Sequence, residues 1–205
     1  MPSGSQLAAL LIVVCFSAGL NVYATVGMLG ILSRVHALAL PPQLRLLQSW
    51  EVIIVCAVLF AAEFAGDKIP IFDLFWNAAH TFVRIPVAAL LVYGAAEHLS
   101  EGPRLLATLL GASLALATHS GKFAARAAVS HSPEPFSNAA LSLGEDGLAA
   151  GLTWFATRHP FVAAAIALVL VAIILVVIRY VLRAMRRAFR RIGDAFEKRR
   201  ATSPA

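Results

Sequence analysis

The chain has 205 residues, of which 60% are hydrophobic and 14% are charged. A soluble domain usually has about half its residues apolar and about a quarter charged, so this composition excludes an ordinary water-soluble fold. The net charge of +6 comes from the C-terminus, because nine Lys and Arg and two acids follow Ile178, against eight Lys and Arg and nine acids before it. Without an aromatic-rich or zinc-type motif beside it, this charge predicts an anionic membrane surface as partner and excludes nucleic acid.

The first apolar run extends from Ser5 to Ser33 without a charged residue. About 18 or more such residues can cross a bilayer as a helix, since backbone polar groups must pair within the segment in lipid. The run predicts one helix over about residues 7–32. No Lys or Arg precedes it and it is longer than the hydrophobic part of a signal peptide, so we expect the helix to be retained.

Five further helices are predicted along the chain, with ends marked by proline, glycine and capping residues. Breaks are expected at residues 66–72 and 130–135, where prolines interrupt the pattern. Asp73 and Ser137 are predicted as the N-caps of the helices that follow these breaks. The fold class is therefore all-α, a polytopic transmembrane bundle of about six helices. The five further helices cover about residues 49–65, 73–97, 103–129, 137–156 and 160–179.

The basic tail continues the last predicted helix. Its arginines alternate with apolar residues at steps of three and four, which predicts a C-terminal amphipathic helix that binds anionic lipid head groups at the membrane surface. The alternative is a solvated run of charge that only fixes topology. The positive-inside rule makes residues 179–205 a cytoplasmic tail to a transmembrane domain of residues 1–178. The apolar positions are Leu182, Met185, Phe189, Ile192 and Phe196.

Two segments of the chain resemble each other. Phe75–Thr81 aligns without a gap to Phe136–Ser142, and in the same frame Arg84 meets Glu145. We interpret this as an internal repeat with units at about residues 49–97 and 103–156. Internal repeats are common in transporters, and with six crossings the two units run in the same direction.

Polar side chains recur on single faces of the apolar helices. A charge at membrane depth costs roughly 2.5–3.5 kcal/mol on insertion scales, so such residues normally face a partner or a cavity. We therefore predict a polar ligand-binding cavity between the two repeat units. The candidate residues are Glu63, Asp67, Lys68, Asp73, Asn77, His80, Thr81, Arg84, His119, Lys122, Arg126, Ser132, Asn138, Ser142, Glu145 and Asp146.

The charges in this set have two interpretations. They could simply neutralise one another, with Arg84 pairing with Glu145 across the repeat. Alternatively, the helix starts at the two breaks, with basic residues nearby, could bind an anion such as phosphate or a lipid head group. The other predicted ion pairs join Lys122 or Arg126 to Glu63, Asp67 or Asp146.

The two cysteines, Cys15 and Cys56, both lie in apolar runs. We expect them to be small buried thiols and not a disulfide. No Cys and His pattern at zinc spacing occurs in the sequence, and no metal or cofactor is predicted.

Three motifs carry a resemblance to a known family. The first is Ala18-Gly19-Leu20-Asn21-Val22-Tyr23, the second runs from Glu63 through Asp67-Lys68-Ile69-Pro70 to Arg84, and the third runs from Lys122 to Glu145-Asp146. Over about residues 8–158 the chain is similar to the bacterial membrane family catalogued as domain of unknown function 4126. The resemblance implies a multi-pass protein of the inner membrane and implies no activity.

The leading functional hypothesis is a small transporter or lipid-flipping protein with the polar cavity as its binding site. Acidic residues there would pair with the basic ones or carry a coupling proton. The residues expected to contact a small anionic or lipid-phosphate ligand are Lys68, Arg84, Lys122 and Arg126.

Two other functions stay open. A membrane enzyme acting on a lipid phosphate would use Asp67, Asp73 or His80 in acid–base roles. A non-catalytic membrane scaffold would use its tail to recruit partners. We favour a function without catalysis, and the sequence makes no prediction of oligomeric state.

Overall fold

A computed structural model describes residues 3–66, 70–129 and 135–201 of the chain. Side chains are described for residues 3–66, 76–125, 140–183, 185–187 and 190. Every regular element in these ranges is helical, which confirms the all-α prediction. The α-helices are α1 Gly4–Leu20, α2 Val22–Arg34, α3 Trp50–Gly66, α4 Pro70–Ala95, α5 Glu101–Val129, α6 Pro135–Ala156 and α7 Pro160–Ala201, with a 3₁₀ helix at Pro42–Gln48.

The first apolar run is broken at Asn21, so the single helix predicted over residues 7–32 is wrong. Asn21 has extended backbone angles (φ −146°, ψ 107°) between α1 and α2. Its N–H still donates to the Ser17 carbonyl and ends α1, while its side-chain oxygen accepts from the Ala24 N–H at 2.9 Å and caps α2. An asparagine side chain competes well for backbone hydrogen bonds, which is why it favours helix starts.

The helices α4 and α6 both begin with a proline. Proline suits the first turn of a helix because its missing N–H would have no partner there. The helices therefore start at Pro70 and Pro135, ahead of Asp73 and Ser137. The prediction that these two residues are N-caps is wrong, since both lie inside the first turn.

The predicted second helix is confirmed as α3, and a 3₁₀ helix precedes it. The two helices Pro42–Gln48 and Trp50–Gly66 meet at an angle of 62°. The predicted fourth helix corresponds to α5, and the predicted sixth helix continues without interruption into the tail, as expected, to form the 42-residue α7.

The central helix of the bundle is α1, which lies between two apolar clusters. On one side Val14, Cys15 and Ala18 pack with residues of α2, α4 and α5. On the other side Val13 and Phe16 pack with α6 and α7. Because α1 contacts five other helices, its C-terminal half, from Val13 to Leu20, is buried among them.

The exterior of the bundle is apolar, while its interior contains charged side chains. Large exposed apolar residues occur along α3, α5 and α7, as at Val58, Leu109 and Val176. Arg84 and Glu63, in contrast, are buried. This distribution is the reverse of that in a soluble protein and fits lipid as the surrounding solvent.

Two helices in the described part of the chain are long and apolar enough to cross a membrane, at Trp76–Ala95 and Pro160–Arg187. The bent pair Pro42–Gln48 and Trp50–Gly66 raises the number to three if it counts as one span. The shorter apolar helices are α1 and α2. The count of six crossings and the internal repeat both stay predictions.

Candidate functional site: a buried ion cluster

Five charged side chains from four helices converge beside the break at Asn21. They belong to α3, α4, α5 and α6, and all are buried except Glu145, which is partly buried. We call the following residues the ion cluster: Glu63, Arg84, Lys122, Glu145 and Asp146.

One carboxylate oxygen holds two cations. Glu63 Oε1 accepts a hydrogen bond from Arg84 Nη2 and another from Lys122 Nζ, the latter at 3.2 Å. The side chains of all three residues are at most 1% exposed. Because isolated charges are very costly to bury, this shared oxygen helps to stabilise two cations in the interior.

The Lys122 ammonium contacts three acceptors in and beside the cluster. Its Nζ lies 3.2 Å from Glu63 Oε1, 3.2 Å from Glu145 Oε2 and 3.3 Å from the Leu20 carbonyl. An ammonium has three N–H donors, and these three acceptors match them in number. The Leu20 carbonyl is the last of α1, so the cation also complements the negative end of that helix.

Asn21 connects the helix break to the acidic side of the cluster. Its Nδ2 donates to Asp146 Oδ1 at 2.8 Å, and the Thr25 hydroxyl donates to the Asn21 carbonyl at 2.8 Å. The Asp146 carboxylate therefore lies near the start of α2, where a negative charge is favourable. The two helix ends at the break thus have a cation and an anion respectively as neighbours.

His119 lies on the other side of Arg84. Its Nδ1 is 3.0 Å from Arg84 Nη1, and its Nε2 is 2.8 Å from the Thr81 hydroxyl. A guanidinium can only donate, so Nδ1 accepts and the neutral ring carries its proton on Nε2. The Thr81 hydroxyl in turn donates to the Asn77 carbonyl at 3.3 Å.

His80 has both ring nitrogens engaged. Its Nδ1 donates to the Trp76 carbonyl at 2.7 Å, since a carbonyl can only accept. Its Nε2 therefore accepts from the Tyr23 hydroxyl at 2.8 Å, and the Tyr23 ring meets the imidazole edge-on. This arrangement fixes α2 to α4.

A glycine lets α1 approach α5 closely at the break. A Cβ at Gly19 would lie 2.6 Å from the Ala115 carbonyl oxygen and 2.7 Å from Thr118 Cβ. No larger residue fits there without moving one of the helices. The close approach brings the end of α1 within reach of Lys122.

Ten of the predicted site residues are buried or partly buried in the described structure, and one predicted ion pair has other partners. Arg84 pairs with Glu63, and Glu145 pairs with Lys122, so the predicted Arg84–Glu145 pair is wrong. The predicted Lys122–Glu63 pair is confirmed. The ten residues are Glu63, Asn77, His80, Thr81, Arg84, His119, Lys122, Ser142, Glu145 and Asp146.

Six predicted site residues lie outside the description of the structure. Asp67, Lys68 and Ser132 are outside the described ranges. The side chains of Asp73, Arg126 and Asn138 are outside the described side chains, although their backbones are helical. Among the described residues, no group of three or more His, Cys, Asp or Glu side chains is arranged to hold a metal ion. Cys15 and Cys56 are free and buried, as predicted.

Three residues near the site were missing from the prediction: Leu20, Asn21 and Tyr23. Of these, Asn21 could have been recognised from the sequence, because it is a polar residue in a run without charge. In the structure it is buried. Ser17 and Thr25 lie four residues to either side of it and are also fully buried, so a polar stripe was present in the sequence.

The fold and the site together define a class: a small, all-helical membrane protein with charges buried at a broken helix. Within that class, the chain belongs to the family described as "Domain of unknown function (DUF4126)", whose profile matches residues 8–180. The match includes the first half of α7, which the resemblance noted in the sequence left out. No curated protein and no solved structure matches the chain.

Proposed function

We propose that the chain is a small transporter or lipid-flipping protein in which an anionic ligand replaces Glu63 as the partner of Arg84 and Lys122. The observation that carries this proposal is the single Glu63 oxygen that holds both cations. A carboxylate that is the common partner of two buried cations is a direct competitor of any phosphate-like anion. When the ligand displaces Glu63, Arg84 loses its carboxylate partner and Lys122 keeps, among the described residues, only Glu145 and the Leu20 carbonyl, so both cations can bind the ligand.

Two buried atoms support this exchange. Glu63 Oε2 and Arg84 Nε make no hydrogen bond within the described part of the chain. Buried polar atoms are usually paired, and exceptions often mark functional sites. Arg84 Nε is a further donor for the ligand. A phosphate-like anion that takes the place of Glu63 can thus bind the guanidinium through more than one N–H.

The broken helix gives a second line of support. Discontinuous helices in transporters place helix ends at the substrate and coupling-ion sites. Here the end of α1 faces Lys122 and the start of α2 faces Asp146 through Asn21. The proposed internal repeat at residues 49–97 and 103–156 would place the ion cluster between its two units.

We further propose six crossings of a bacterial inner membrane, with both termini in the cytoplasm. The support is the tail, in which Arg179, Arg183, Arg186 and Arg187 are exposed and follow a long apolar helix. Anionic head groups of the inner leaflet are the partners that this charge fits, at about 1 kcal/mol per basic residue near the surface.

Transport in proteoliposomes tests the proposal. Uptake of radiolabelled inorganic phosphate and flipping of fluorescent phosphatidylglycerol are measured against protein-free liposomes. Wild type should move one of these probes faster than they do. Glu63→Gln removes the negative charge that competes with the anion and should raise the rate at a low probe concentration, whereas Glu51→Gln, at an exposed acid near the start of the same helix, should leave the rate unchanged.

A scaffold is the second candidate function, since the ion pairs of the cluster also fit a purely structural role. It predicts that neither probe moves faster than in protein-free liposomes. It also predicts that Glu63→Gln changes only thermal stability. That combination of results would refute the transport proposal.

A further inference from the structure

A cavity of about 400 Å³ opens between α4 and α5 next to the ion cluster. Its lining has a polar part, made by Thr81, His119 and Ser120, and an apolar part that includes Phe82 and Phe123. Binding sites for small molecules are typically apolar cavities with a few polar groups that fix orientation. This cavity has that character.

The cavity faces the region that lipid should occupy. Phe82 is 82% exposed and Phe123 is 40% exposed, and Phe82 lies in the helix segment Trp76–Ala95 that is apolar enough to cross a membrane. Thr81 lies eleven residues, about 16 Å at 1.5 Å per residue, from the start of α4 at Pro70. The polar part of the cavity therefore lies well inside the helix, so a lipid phosphate would reach it from the side and not from the end of the helix.

One imidazole ring separates the cavity from the cluster. His119 Nε2 points its proton at the Thr81 hydroxyl on the cavity side, and Nδ1 accepts from Arg84 on the cluster side. An anionic acceptor in the cavity can replace Thr81 as the partner of Nε2. The charge of Arg84 then stabilises that acceptor through the ring, because hydrogen bonds in a chain polarise one another.

We propose that this cavity admits a phospholipid sideways from the bilayer, with the phosphate at His119 and Thr81 and an acyl chain against Phe82 and Phe123. The inference rests on the proposed function and deepens it. The anion that exchanges with Glu63 is then the phosphate of a lipid and not a water-soluble ion, and His119 is the first residue of the site that it meets.

Photo-crosslinking in nanodiscs tests the inference. The probe is phosphatidylglycerol with a diazirine in its acyl chain, and crosslinked peptides are mapped by mass spectrometry. Crosslinks should concentrate near Phe82 and Phe123. Ala78→Phe fills the cavity and should reduce them about tenfold. Ala79→Phe is the matched control, because Ala79 is exposed on the same helix and outside the lining, and it should leave the crosslinks unchanged.

A second variant, Ser120→Leu, fills the cavity from α5 and should act like Ala78→Phe if that variant fails to fold. Crosslinks spread evenly over the lipid-facing helices, or unaffected by both filling variants, would overturn the inference. Displacement of the lipid by millimolar inorganic phosphate would do so as well. Phosphate uptake that changes in Glu63→Gln and not in Glu51→Gln would in that case still stand, so the two failures are distinguishable.

Discussion

The first and the last apolar runs of the chain are both free of charge, yet they fold differently. The first, from Ser5 to Ser33, is split into α1 and α2 by Asn21 and is enclosed by other helices. The last, from Phe161 to Ile178, forms the uninterrupted first part of α7, and many of its side chains are exposed. Only the first run ends a helix beside the ion cluster.

The difference shows that the break depends on tertiary partners and not on local helix propensity alone. Asparagine lowers helix propensity by less than 1 kcal/mol, which lipid easily overrides. The break is stabilised because Asn21 caps α2 and reaches Asp146, while Lys122 occupies the end of α1. Disturbing the cluster should therefore affect the first run and spare the last.

The largest effect is expected from Arg84→Glu. The substitution removes one of the two cations on Glu63 and places two carboxylates together in the interior, and breaking a buried pair costs about 3–5 kcal/mol. Thermal unfolding in detergent, followed with a thiol-reactive dye that detects Cys15 and Cys56 as they become exposed, measures this loss.

The partner of Arg84 is identified by rescue. Adding Glu63→Arg to Arg84→Glu should restore part of the stability, whereas adding Glu145→Arg should not. The matched control is Arg179→Glu at an exposed position of α7, which should leave the unfolding temperature nearly unchanged. Equal rescue by both second substitutions would contradict the assignment of Glu63 as the partner.

Asn21→Leu makes the first apolar run more like the last one in sequence, but it should lower the unfolding temperature of the protein. The variant loses the cap on α2 and the hydrogen bond to Asp146, at a combined cost of about 2–3 kcal/mol. Asn21→Ser keeps a capping oxygen and should lose less. The same dye assay measures both, and an unfolding temperature for Asn21→Leu at or above wild type would show that the break is unimportant for stability.

Gly19→Ala should have the smallest effect of the three. The added methyl group meets α5 at the Ala115 carbonyl, and overpacking of this kind costs about 1–2 kcal/mol. Gly151→Ala in α6 is the control, because nothing lies within 4 Å of a Cβ there. It should be neutral or slightly stabilising. A comparable loss of stability in both variants would mean that the close packing of α1 against α5 at Gly19 is not the cause of the loss.

The sequence predicted the helices well, because hydropathy and prolines are local signals. The helices α3, α4, α5 and α6 begin and end within three residues of their predicted limits, and the largest shift is the three residues at Pro70. The ten described residues of the predicted site are buried or partly buried, because a charge in an apolar helix needs a partner whatever the fold.

The pairing of those residues was only partly predictable. Arg84 was assigned to Glu145 because the two align in the repeat, but alignment does not measure distance, and Glu63 is closer. The break at Asn21 was missed for a similar reason. Its partner Asp146 is 125 residues away in sequence, so no local pattern distinguishes this asparagine from one that simply faces a neighbouring helix.

The length of α7 has a structural consequence. Its 42 residues extend about 63 Å at 1.5 Å per residue, roughly twice the hydrocarbon thickness of a bilayer. Its inner portion touches α5 where Ile174 presses against Gly121, the neighbour of Lys122. The helix is thus held against α5 next to the residue that carries the Lys122 ammonium, while about half of its length exceeds what the hydrocarbon layer can cover.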